Sequence, residues 1–167
     1  EDHIGGLDDV IKAFDVGDVY MPKVQHNTKT FRDVLSAVKE KDLKVQTAKA
    51  GVELLKESGL EAVVLAPVKE KYEDLNNYSA IIRMVYGNTS FLFTGDAEKE
   101  SEEEISGNVQ ADVLKTGHHG SSTSTTKEFL QRVNPKYALI SCGTDNSYGH
   151  PHRETLQKLE DAGVIVF

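Results

Sequence analysis

The sequence predicts a layered α/β fold, and three features of its patterning carry that prediction. After residue 95, short apolar strands alternate strictly with short helices, the arrangement that packs helices against a sheet. Ala62-Val63-Val64-Leu65-Ala66 is a continuous apolar run closed by Pro67, as expected of a strand buried on both faces. Residues 79–86 and 90–94 are β-rich runs around Gly87-Asn88, which reads as a hairpin.

Taken in order, residues 8–14 place Val10, Ile11 and Phe14 on one helical face, with Asp8 as the N-cap. Asp18 to Met21 reads as a strand stopped by Pro22. Residues 30–41 carry Phe31, Val34, Leu35 and Val38 at helical spacing. Residues 44–47 and 52–55 are strands, and the polar run 68–78 is a loop. Residues 98–106 form a charged helix ended by Gly107, with Glu100, Glu102, Glu103 and Glu104 on a solvated face. Residues 112–115 are a strand, 126–133 a helix, 137–141 a strand, 152–162 a helix with Gly163 at its end, and 164–167 a last strand.

Composition narrows the function classes. The 167 residues, 38% hydrophobic and 28% charged, suit one globular domain, 1–167, and exclude collagen-like or wholly disordered chains. A net charge of −8 argues against nucleic-acid binding by bulk charge, so a phosphate-bearing ligand has to be held locally. The single Cys excludes an internal disulfide and any multi-cysteine zinc site. Cys142 reads as a small buried hydrophobe. No apolar run approaches the ~18–20 residues of a membrane span, so this segment is not expected to insert directly. The chain opens inside a polar motif and closes mid-strand. It reads as part of a longer protein, incomplete at its N-terminus and its C-terminus, and its compartment is left open.

Five of the six His fall in three groups beside Asp, Gly and Pro: His3, His118-His119, and His150 with His152. Three predicted strands deliver polar groups to one rim, where α/β sheets collect ligands. Phe91 to Thr94 runs into Gly95-Asp96, Asp112 to Lys115 into His118-His119, and Tyr137 to Ser141 into the loop ending His150-Pro151-His152. With Asp2-His3 these make a cysteine-free Asp/His set, the donor chemistry of a hydrolytic divalent ion such as Zn or Mn. Structural readings stand beside these. Asp96 suits an N-cap, His118-His119 suit a turn, His150 or His152 suits a helix cap, and His26 suits the surface. Ser121, Ser122 and Ser124 lack the G-x-S-x-G context of a nucleophile.

Four motifs, Asp2-His3-Ile4-Gly5-Gly6-Leu7, Phe91 to Glu98, His118-His119-Gly120-Ser121 and Tyr148-Gly149-His150-Pro151-His152, resemble the metallo-β-lactamase superfamily. More narrowly, they resemble the hydrolase domain of ComEC-type competence proteins of bacterial DNA uptake. The resemblance implies a metallo-β-lactamase-like αββα sandwich, here lacking its N-terminal strands. It implies up to two divalent ions and hydrolysis of a phosphoester by metal-bound hydroxide, that is, a phosphodiesterase or nuclease with DNA among its substrates. It also allows attachment to a membrane channel domain.

The family's first motif, H-x-H-x-D-H, is matched here only by its last part, with two histidines expected just upstream. The match implies metal ligation by Asp2 and His3, with Asp2 also in the catalytic set, and makes Asp96 the bridging carboxylate. One of His118 and His119 is the later histidine ligand. Neighbours in extended chain face opposite ways, so His118, nearer the strand end, is the expected ligand. His119 and His150 are then the acid–base or clamping groups, and His152 contacts substrate. Asn76-Asn77 stands where many members carry a further histidine, and Asn77 is expected to contact substrate. The alternative is a metal-poor, non-catalytic domain that binds nucleic acid or a partner in a DNA-uptake system.

Overall fold

A computed structural model describes residues 2–167, in two compact units, Glu1–Ala48 and Lys49–Phe167. The first unit holds α1 (Leu7–Ala13), β1 (Val19–Met21), α2 (Lys29–Glu40) and β2 (Val45–Thr47), with β1 and β2 paired in parallel. Its core is Ile11 from α1 against Val34, Ala37 and Val38 from α2. Thr28 caps α2 by accepting from Phe31 N. The N-cap of α1 is Gly6, in the left-handed region at φ 88°, rather than Asp8. The helix starts one residue early, so Asp8 falls in its first turn and pairs with Lys12 at 2.8 Å.

The second unit is a seven-stranded sheet: β3 (Glu53–Glu57), β4 (Leu60–Ala66), β5 (Ile81–Tyr86), β6 (Thr89–Phe93), β7 (Val113–Lys115), β8 (Tyr137–Leu139) and β9 (Ile165–Val166). Strands β3 to β6 form an antiparallel meander; β6 to β9 run parallel. Parallel strands need crossovers. These contain α3 (Lys99–Glu104), α4 (Lys127–Val133) and α5 (Arg153–Asp161). The core joins Ile81, Leu92, Leu114 and Ala138 of the sheet to Phe129, Leu130 and Val133 of α4 and Leu159 of α5. Parallel pairing also brings the C-terminal ends of β6, β7 and β8 to a single edge.

The layered α/β prediction holds, with local differences. Strand β4 alternates rather than burying both faces: Ala62, Val64 and Ala66 are buried while Val63 and Leu65 are half-buried. Strand β8 stops at Leu139, which leaves Cys142 exposed in the following loop. Helix α3 ends at Glu104, with Ile105 as its C-cap, and Glu102 is not on its solvated face but 1% exposed.

Helix α3 is the least self-sufficient element. Its sequence, KESEEE, has no apolar residue, and a helix this short does not hold itself. No side chain of its own caps it. Asn77, buried after β4, does so from outside: its Oδ1 accepts from Glu98 N at 3.1 Å and Ser101 N at 3.2 Å. Removing that acceptor in Asn77→Ala is expected to cost about 0.5–2 kcal/mol, the usual range for a lost cap. Asn76→Ala, at the half-buried neighbouring position, should cost much less. Urea unfolding of both variants checks this, and equal losses would reject the cap.

Candidate functional site

The site is assembled from loops at the C-terminal ends of β6, β7 and β8. After β6 the chain turns at Gly95, whose φ of +53° and 3.0 Å approach of a would-be Cβ to Ser79 leave room only for glycine. That turn presents Asp96, whose N–H donates to Ser79 Oγ at 3.1 Å. Asp96 caps no helix, since α3 begins later and is capped by Asn77.

After β7, His118 and His119 both adopt left-handed backbone, with φ 47° and 54°. Such residues cost roughly 1–2 kcal/mol each, so the surroundings must hold them. His118 N donates to Gly95 O at 2.9 Å, Ser121 N to His118 O at 2.8 Å and His152 N to Gly120 O at 3.0 Å. Ser124 Oγ donates to Gly117 O at 2.7 Å, and Gly117 N donates to Thr125 Oγ1 at 3.3 Å. A Cβ on Gly117 would meet Ala97 O at 3.0 Å, and one on Gly120 would meet Pro151 at 2.8 Å.

Because neither residue is extended, strand alternation does not decide where the rings point. His119 Nδ1 donates to the Ser141 carbonyl at 2.7 Å, and its Nε2 lies 3.4 Å from Asp96 Oδ1. His118 turns the other way, with Nδ1 3.2 Å from Glu98 Oε1. Thr123 Oγ1 donates to that same oxygen at 2.8 Å. The ring beside Asp96 is therefore His119, and not His118 as strand alternation predicts.

The loop after β8 brings in the other two imidazoles. Asn146 braces it: His150 N donates to Asn146 Oδ1 at 2.9 Å, and Asn146 Nδ2 donates to His150 O at 2.7 Å. The His150 ring centre lies 5.6 Å from that of His118, 6.2 Å from His119 and 4.8 Å from His152. No hydrogen bond among the described residues engages its ring nitrogens. Burial, then the neighbouring His152, His118 and His119, hold its imidazole below the ordinary histidine range, against the pull of Asp96. His152 has both nitrogens in use. Nε2 donates to Tyr148 O at 3.1 Å, and Nδ1 accepts from Ser122 N at 2.9 Å. It ties two loops together and has no ring nitrogen left for a substrate. Asn77, buried and committed to α3, is likewise withdrawn from substrate. Asp2 and His3 lie in the first unit, in the turn that leads into α1.

Sequence reasoning missed Glu98, the Ser141 carbonyl and Glu102. Glu98 follows Asp96 by two residues, but the turn at Gly95-Asp96 breaks the strand alternation, so their spacing gave no signal. Glu102 gave none, since it sits within a run of acids. Its buried carboxylate accepts from Thr125 N at 2.5 Å, Thr126 N at 2.9 Å and Thr126 Oγ1 at 2.7 Å. Burial pushes its carboxyl up, and the Thr126 and Thr125 donors draw it back down.

The donor set fits a cation. With Nδ1 donating to a carbonyl, a neutral His119 would turn its Nε2 lone pair to the Asp96 carboxylate 3.4 Å away, a donor pair that a cation takes. A carbonyl behind a ligating imidazole is the usual arrangement in metal sites.

Comparison with known proteins gives the following. Residues 1–144 match the family described as the Metallo-beta-lactamase superfamily. The chain is 39% identical over 169 residues to ComE operon protein 3 of Bacillus subtilis (strain 168), covering 99% of this chain and 22% of the relative. It is 30% identical over 159 residues to Recombination protein 2 of Haemophilus influenzae, covering 95% and 18%. It is 36% identical over 110 residues to Competence protein ComA of Neisseria gonorrhoeae, covering 64% and 16%. These relatives are ComEC-type competence proteins, and the chain spans about a fifth of their length. Among solved structures, CmlA, a diiron β-hydroxylase from Streptomyces venezuelae, matches with a TM-score of 0.53 at 13% identity, over 90% of this chain and 38% of that one. That likeness concerns the fold alone.

Glu102→Ala leaves two backbone N–H groups and a hydroxyl without an acceptor, and should destabilise by about 2–4 kcal/mol. Glu103→Ala, exposed on the same helix, should cost almost nothing. Denaturant unfolding reads both. A matching small loss in the two would remove Glu102 from the frame.

Proposed function

The chain belongs to the metallo-beta-lactamase superfamily, and from that premise we propose that it is a metal-dependent hydrolase of phosphoester bonds, with DNA as the substrate suggested by its competence relatives. The observation that carries this reading is the His119 ring, pinned by Ser141 O and aimed at Asp96, at the ends of parallel strands.

Asp96 and His119 would hold a divalent ion, Zn or Mn, and the family's first motif assigns ligand roles to Asp2 and His3. A bound ion there would lower the pKa of water and draw charge from the phosphoryl oxygens. The chain's own groups do the rest. Water adds to phosphorus, the P–O ester bond breaks, and the leaving oxygen takes up a proton. His150, neutral and with unengaged ring nitrogens, is suited to accept from or donate to a phosphoryl or leaving oxygen. His118, seated on Glu98, is assigned to orientation rather than ligation. The family supports hydrolase chemistry more than it supports a metal-poor binding domain.

The test combines metal content by mass spectrometry with hydrolysis of a generic phosphodiester. It is run on this chain and on a form extended upstream to carry the family's H-x-H. Asp96→Ala should lower turnover by orders of magnitude, whereas His26→Ala should leave it unchanged. His119→Ala should lose metal. His118→Ala should keep metal and lose roughly 10–100-fold in turnover, the typical cost of an orienting group. Absence of tightly held metal from both forms would support the non-catalytic binding domain instead. Equal rates for Asp96→Ala and His26→Ala would remove Asp96 from the site.

A further inference from the structure

Two strands that carry groups to the rim leave the sheet by the same sequence step. Thr94-Gly95 leads from β6 to Asp96, and Thr116-Gly117 leads from β7 to His118-His119. Both pairings behind them are short. Strand β6 meets β7 through Phe91 with Val113, Leu92 with Leu114 and Phe93 with Lys115. Strand β7 meets β8 through the same three residues, ending on Lys115 with Leu139. Ladders open first at their ends, and here the ends carry Asp96 and His119.

At each end a buried hydroxyl adds a bond to the backbone ladder. Thr94, the residue after β6, donates through Oγ1 to Lys115 O, on the last residue of β7, at 2.6 Å. Thr116, the residue after β7, donates through Oγ1 to Leu139 O, on the last residue of β8, at 3.1 Å, beside the 3.0 Å bond from its own N. Thr94 is 1% exposed and Thr116 0%, and in such surroundings a hydrogen bond is stronger than at the surface. Valine has the same branched shape and strand preference, so the hydroxyl is what threonine adds at these two positions.

From these hydroxyls to the site the path is short. The Thr94 bond ties the turn bearing Asp96 to the strand that leads into the histidines, and His118 N closes the same gap by donating to Gly95 O at 2.9 Å. The Thr116 bond ties that strand to β8, two residues before Ser141, whose carbonyl accepts from His119 Nδ1 at 2.7 Å. Asp96 Oδ1 and His119 Nε2, 3.4 Å apart, thus come from turns anchored across three neighbouring strands.

We propose that Thr94 and Thr116 are positioning residues, two hydroxyl latches that hold Asp96 and His119 at the spacing a shared cation needs. The assignment rests on the reading of Asp96 and His119 as ion-holding groups, and it extends that reading to the residues that set their separation. Both threonines act through the strand ends they join. A matched pair of bonds lies at the opposite ends of the same strands, away from the site. There Ser90 Oγ donates to Asp112 Oδ2 at 2.8 Å and accepts from Asp112 N at 3.0 Å. That pair separates positioning from general stabilisation.

The experiment compares Thr94→Val, Thr116→Val and Ser90→Ala by two readouts, neither of them turnover. The first is the nitrogen-15 spectrum of the His119 ring in the metal-free chain, with chelator present, at about pH 8.5, above the ordinary histidine range. In the unaltered chain the Ser141 carbonyl fixes the proton on Nδ1. Thr116→Val is expected to lose that single form, its two ring-nitrogen signals moving toward each other. Thr94→Val is expected to keep it and to shift the Nε2 signal as Asp96 moves away. The second readout is zinc affinity of the form extended upstream, by competition with a chromophoric chelator. Each valine variant should hold zinc about 10–100-fold more weakly, the usual effect of removing a group that orients a ligand. Thr94→Ser and Thr116→Ser, which keep the hydroxyl, should restore both readouts. Ser90→Ala should lower the urea midpoint as the valine variants do, yet leave the ring signals and the zinc affinity unchanged. The proposal is overturned if either valine variant matches the unaltered protein in both readouts, if serine does not rescue, or if Ser90→Ala alters them as much. An unaltered protein that holds no zinc removes the ion-holding reading, and the ring signals then decide the latches by themselves.

Discussion

The Glu102 carboxylate, sunk in the second unit and accepting from both backbone and hydroxyl of the segment at Thr125-Thr126, is the tie on which the rim depends. Thr125 is itself left-handed, at φ 50°, an uncommon state for a β-branched residue. Its hydroxyl receives Gly117 N, and its neighbour Ser124 holds Gly117 O. Gly117 opens the turn that carries His118 and His119. A single buried acid thus supports one strained residue, which in turn supports two more. The cost of burying a charge is offset here by three donors aimed at it, and in a site shielded from water each of those bonds is stronger than it would be at the surface.

Helix α3 shows how such a tie is anchored. It has no apolar face and no cap of its own. Asn77 fixes its start, and Arg132 donates to the carbonyls of Glu102 and Ile105 at its end. Between those two points the helix presents Glu102 to Thr125-Thr126, while its N-cap residue Glu98 faces His118. The polar composition that looks like a solvated surface is in fact a connector between the sheet's loops.

Periodicity made most of the scaffold legible. The hairpin of β5 and β6, the helix spacing of α2 and the strand–helix alternation after β6 are local patterns, and each reports a local element. Asp96 and the four histidines near it were legible as well, because strand ends in a parallel sheet share an edge. The roles within the cluster were not. Whether His118 or His119 faces Asp96 depends on two positive φ angles, and those depend on contacts with Ser121, Ser124, Thr125 and Gly95, far from any sequence rule. Asn77 and His152 show the same limit: each is a polar residue near the rim whose hydrogen-bonding capacity is consumed by the fold. Glu102 is indistinguishable in the sequence from Glu103, yet one is buried and the other is not.

On the proposed reading, the electrostatics of the rim have to reconcile an acidic chain with an anionic substrate. His119 gives up one nitrogen to a carbonyl and His152 gives up both to loop contacts, while His150 is held toward its neutral form by burial and by the other rings. Carboxylates at the rim, Asp96 and Glu98 among them, repel a phosphodiester unless a cation sits beside them, so on the proposed reading the attraction comes from an ion bound there. Asp96 and His119 Nε2, 3.4 Å apart, are the place proposed for it.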